Sequence, residues 1–184
     1  MVSIYSTFSI LKYFVTINCI LVLVLNGYAY GFWNLFYFCD ISLFLTALTF
    51  WIPDKYRSIL SSLSALFALL SSLVWSIDLI TLYFDVSLFG MAYYMYNPSY
   101  HIGMRFLSTF HLWLWIVHLY LLKKYKYNPT AFNYWLKIIF FLYFLFEYLT
   151  PKQPKNINSY EIYYYKYILV IITYCLHRLF FLIF

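Results

Sequence analysis

Charge is what this chain has least of. Its 184 residues carry twelve Lys and Arg and six Asp and Glu, 10% of the sequence, where soluble domains carry about a quarter. With 65% hydrophobic residues and a mean hydropathy of +0.77, no soluble fold of this length could hide the apolar surface. Cysteine is equally sparse: Cys19, Cys39 and Cys175 are odd in number and show no C-x-x-C or Cys/His spacing. That pattern excludes a disulfide frame and a structural zinc site, and leaves the three as small apolar packing residues. The four glycines form no phosphate-cradling loop, and neither G-x-S-x-G nor H-E-x-x-H occurs, so no metal or cofactor is expected. The net charge of +6 is dispersed over helix ends, which argues against a nucleic-acid partner and for anionic lipid surfaces. Aromatic residues reach 27%, a share that an AT-biased genome also produces.

What is abundant is long apolar sequence. Six runs stand between charges, prolines and turn residues, at about 8–30, 32–52, 59–84, 105–122, 135–149 and 163–184. Each is near the roughly 20 residues a bilayer-crossing helix needs, and the fifth is the shortest. None alternates polar and apolar as a barrel strand would, and every backbone N–H in hydrocarbon must be satisfied within its own segment. The expected fold is an all-α polytopic membrane bundle of about six helices forming one domain over 1–184. Short-loop cations favour one side, with Lys55, Arg57, Lys123, Lys124 and Lys126 against Arg105, Lys152 and Lys155 on the other. By the positive-inside bias both termini face the cytoplasm, as in a bacterial inner-membrane protein. The first run lacks an A-x-A-like cleavage site after Gly27 and is read as a retained helix rather than a signal peptide.

Polar residues inside such runs carry the functional signal. Asp40 and Asp78 each interrupt an apolar run, and a charge at the centre of an inserted helix costs about 2.5–3.5 kcal/mol on insertion scales unless it finds a partner. In the fourth run Arg105, Ser108, His111, Trp115 and His118 recur every three or four residues, one stripe of a helix, with Phe106, Phe110, Leu114 and Val117 opposite. His111 is the candidate general acid or base, with Asp78 and Asp40 orienting or polarising it. Arg105, Ser108 and Asn97 are the candidate substrate-binding residues, and membrane lipids the expected partners. Ser108 and His118 have a competing reading as interhelical glue. The Tyr-rich loop from Asp85 to Met104 reads as an interfacial segment whose rings lie among the headgroups.

Several blocks carry a resemblance. Phe32-Trp33-Asn34-Leu35 through Cys39-Asp40-Ile41, Trp75-Ser76-Ile77-Asp78, Tyr94-Met95-Tyr96-Asn97, Arg105 through His111, Lys126 through Ala131, and Asn156-Ile157-Asn158 together resemble an uncharacterised family of six-span bacterial membrane proteins. The family pattern has a proline after the histidine block, where this chain has Trp113-Leu114-Trp115, and a glycine where it has Lys126. A more distant similarity runs to the androgen-induced family of intramembrane fatty-acid-ester hydrolases, which use a threonine and a histidine. His111 matches the histidine, whereas Tyr30-Gly31-Phe32-Trp33-Asn34 holds no threonine, so the nucleophile does not carry over. That similarity implies lipid chemistry of hydrolase or acyl-transferase type. The rival reading is a non-catalytic membrane subunit or small transporter, whose buried charges pair helices or relay protons.

Overall fold

The computed structural model describes residues 4–30, 37–149, 174–175, 177–180 and 182–183. Among them the regular structure is helical, without a strand: α1 (Ile4–Tyr30), α2 (Phe38–Trp51), α3 (Asp54–Tyr83), a 3-10 turn (Tyr93–Met95), α4 (Ile102–Ser108), α5 (Phe110–Tyr125) and α6 (Thr130–Leu149). Three stretches are long and apolar enough to cross a membrane: Thr7–Tyr28 within α1, all of α3, and Ile102–Tyr125 across α4 and α5. Helix α1 shows the required sidedness, with Val15, Cys19 and Val22 buried while Ile10, Ile17 and Val24 form an exposed apolar stripe.

Local chemistry sets the boundaries. Pro53 has no N–H with which to continue α2 and holds Ile52 extended (φ −82°, ψ 162°), so the chain reverses between α2 and α3. Arg57 fixes that corner by pairing with Asp54, donating Nε–H to the Ile52 carbonyl (3.0 Å) and donating Nη1–H to the Tyr125 hydroxyl (3.2 Å). The fourth run breaks at Thr109 (φ −64°, ψ −9°), whose N–H turns back to Phe106 O in a 3-10 step. Helix α6 starts five residues earlier than its apolar run, because Asn128 accepts from Thr130 N (3.0 Å) and Pro129 tolerates the helix start. Its 20 residues reach about 30 Å. Helix α2 is the opposite case, with 14 residues and about 21 Å, starting well inside the expected second span. The expected sixth span, 163–184, lies largely outside the described residues.

Helix α3 is the central element, packed against α2, α5 and α6. Its fully buried Ser61, Ser62, Ser64, Ala65, Ala68 and Ser72 keep its surface flat enough for neighbours to approach closely. Two apolar clusters flank it. One joins Val15, Val22, Leu43, Phe50, Leu114 and Leu121, and the other joins Leu63, Phe67, Leu122, Ala131 and Trp135. The stripe on α5 does point inward, but Leu114 and Val117, expected on the opposite face, are buried as well. Helix α5 packs closely on α3, and its outward face is instead Leu112, Ile116 and Leu119.

Candidate functional site

Register explains where a cavity forms. Ser42 of α2 sits opposite Ser64 of α3, so the antiparallel pair runs out at Phe38 while α3 continues to Tyr83. At that step lies a partly open cavity of about 620 Å³, within the usual size range for small-molecule sites. Asn26, Asp40 and Cys39 border it from α1 and α2, Phe67, Ser71 and Trp75 from α3. Tyr94 and Tyr100 close it from the loop, Met104 and Ser108 from α4, and His111 from α5.

Asp40 occupies the first turn of α2, where the helix dipole favours negative charge. It is 5% exposed, and its carboxyl has no hydrogen-bond or ion-pair partner among the described residues. His111 is 9% exposed, its Nδ1 lies 3.3 Å from Ser72 Oγ, and its ring rests 4.9 Å from that of Trp75. When Nδ1–H donates to Ser72, Nε2 keeps a free lone pair at the cavity. Ser76 donates to Ser72 O (2.7 Å) and reaches His111 O (3.2 Å), fixing the backbone beneath the ring. Burial raises the pKa of the Tyr94 phenol, while the neighbouring Ser108 and Trp75 side chains act the other way. Ser108 lines the cavity, with its hydroxyl donated to Met104 O (3.1 Å), and Thr109 Oγ1 is donated to Phe106 O (2.6 Å). The cavity thus unites Asp40, His111 and Ser108.

Asp78 is elsewhere. It lies five residues before the end of α3, fully buried, and accepts N–H groups from the following loop: Phe89 (2.9 Å) and Gly90 (3.3 Å) on Oδ1, Ala92 (2.8 Å) on Oδ2. A carboxylate with that set is compensated where it stands and has little left for His111. Gly90 sits at φ +71°, a conformation the turn over the carboxylate requires and a side chain disfavours. Arg105 likewise serves the loop, donating Nη1–H to Met95 O (3.0 Å). Asn97 makes a local turn by accepting from Ser99 N (3.0 Å), and it does not line the cavity. The expected meeting of three titratable groups is therefore corrected to two, because loop amides claim Asp78.

A second polar cluster carried less weight in the sequence. His118 is fully buried, and its Nε2 lies 2.9 Å from Ser64 Oγ and 3.1 Å from both Ser42 Oγ and Thr46 Oγ1. Thr46 and Ser64 have Ser42 O within reach (2.7 and 3.0 Å), and Ser42 donates to Ser64 O (2.8 Å). With the hydroxyl protons so placed, Nε2 must carry the hydrogen and donate, leaving Nδ1 as a bare acceptor. This knot joins α2, α3 and α5 and lies outside the cavity lined by His111. Seven residues separate His111 from His118, so one face of α5 carries both, and only the cavity distinguishes them. The signal available in the sequence was the Ser42/Thr46 pair, which places two hydroxyls one turn apart.

Comparison with known proteins finds no match to a family model, a curated protein or a solved structure. The reading of function therefore rests on the cavity itself.

Proposed function

We propose that this chain is an integral membrane protein that takes the polar end of a membrane lipid into the cavity, with His111 as the group that handles a proton there. The observation carrying this reading is that Asp40 and His111, on different helices, border one cavity while the Asp40 carboxyl and His111 Nε2 have no partner among the described residues. Buried polar groups are ordinarily paired within the protein, and groups left free at a cavity are the ones a ligand can use. In a hydrolytic version, Nε2 takes a proton from water as it adds to an ester carbonyl and returns it to the leaving alcohol. The same proton handling serves acyl transfer when a lipid hydroxyl replaces water. The resemblance to intramembrane ester hydrolases at His111 agrees with this reading.

The test is replacement of Asp40 by Asn and of His111 by Gln, each nearly isosteric, scored by co-purified lipids, host lipid profile and melting temperature in detergent. The proposal expects changed lipids with folded protein in good yield. Unchanged lipids with a fallen melting temperature would assign both residues to helix pairing instead. That second reading has its own support in the His118 knot and in Asp78, whose hydrogen bonds all come from within the protein.

A further inference from the structure

The cavity's chemistry is one-sided. Among the described residues no Lys or Arg borders it, and Arg105, the candidate for an anionic headgroup, is turned to the Met95 carbonyl. Among the described residues Asp40 is the acidic residue on its wall, 95% covered and without a partner. Opposite chemistry comes from a run of rings: Tyr100 lies 5.9 Å from Tyr94, Tyr94 6.5 Å from Trp75, and Trp75 4.9 Å from His111. The Trp75 indole N–H, in a side chain 3% exposed, has the Tyr94 hydroxyl beside it. Aromatic faces together with a buried carboxylate make an environment that attracts an organic cation and penalises an anion.

We propose that the cavity between Asp40 and the Trp75–Tyr94–Tyr100 wall is a binding site for an amphiphile bearing an ammonium group. This deepens, and rests on, the reading of the cavity as a lipid site. The ammonium neutralises Asp40, whose burial without a partner is otherwise costly, and the rings supply its remaining contacts through their negative faces. The alkyl chain leaves through the cavity's open side.

The test titrates the full chain in maltoside micelles with tetradecyltrimethylammonium, tetradecanol and tetradecyl sulfate, reading tryptophan fluorescence and melting temperature. The expected result is saturable binding of the ammonium compound alone, weakened at least about tenfold by Asp40→Asn. Trp75→Leu, which keeps the carboxyl, should weaken it too, and serves if Asp40→Asn fails to fold. Nanodiscs of phosphatidylethanolamine that protect better than phosphatidylglycerol would place the ammonium on a lipid headgroup. Protection by the free alkylammonium alone would place it on a separate amphiphile. Binding of tetradecanol or the sulfate as tightly as the ammonium compound overturns the ammonium assignment but keeps the lipid site. Saturable binding of none of these in either setting overturns the lipid site itself.

Discussion

At the scale of single residues, the molecule separates polar groups that hold it together from those left free. His118 belongs to the first kind. Removing its ring in His118→Ala takes away the donor shared by Ser42, Thr46 and Ser64 and opens a void between three helices. The expected cost is about 2–4 kcal/mol, read as a lower melting temperature, with binding in the Asp40 cavity unchanged. An unaltered melting temperature would show that the knot contributes nothing. Lys126 is a different case: at φ +66° and ψ 152° it occupies backbone space that is close to glycine's alone. Its N–H bonds to Leu122 O (2.9 Å) and its carbonyl accepts from Ser58 Oγ (3.1 Å), so both main-chain links survive loss of the side chain. Lys126→Gly should therefore raise stability by about 1 kcal/mol, and a drop would refute strain at this turn.

At the scale of elements, the loop from Phe84 to His101 is organised by α3 rather than by its own sequence. Asp78→Asn keeps the shape of the side chain but sets an amide N–H₂ against one of the loop donors, Phe89, Gly90 or Ala92. The expected loss is about 1–3 kcal/mol of local stability. It should appear as faster hydrogen exchange at 84–101 while the amides of α3 and α5 stay protected. Uniform loosening of the whole bundle would contradict a role confined to the loop. This element also marks how far the sequence could be read. Apolar run length located the described helices, since a long apolar run can satisfy its backbone within its own segment only as a helix. The partners of Asp78 were not legible, because they are backbone N–H groups 11 to 14 residues ahead, and any sequence supplies those. Nor was the break at Thr109, which comes from a 3-10 step that no proline or glycine announces. The empty step beside Phe38 depends on α2 starting late, and helix ends are the least legible feature of a uniformly apolar run.

At the scale of the whole molecule, the two ends of the bundle differ in charge and in aromatic dress, and that difference predicts orientation. One end gathers Lys12, Lys55, Arg57, Lys123, Lys124 and Lys126 from the start of α1, the corner between α2 and α3, and the end of α5. Its cations lie on rings, with Lys12 Nζ 3.6 Å from the Trp51 centroid and Lys124 Nζ 3.8 Å from that of Phe8, a shared cover of apolar stem and headgroup-facing charge. The other end is the loop held by Asp78, where Phe84, Phe89, Tyr93 and Tyr96 are exposed and suit the headgroup layer. Helix α3 is about 45 Å long, more than the roughly 30 Å of hydrocarbon, so Asp54 and Asp78 both approach an interface rather than the midplane. The cationic end should be cytoplasmic and the cavity should open toward the outer leaflet. The check uses a background with Cys19, Cys39 and Cys175 replaced by Ser, carrying either Ser99→Cys or Lys55→Cys. A membrane-impermeant maleimide should label Ser99→Cys in intact cells and Lys55→Cys only after permeabilisation. Labelling in the reverse order would invert the molecule and place the cavity on the cytoplasmic side, where the pool of amphiphiles available to Asp40 and His111 is a different one.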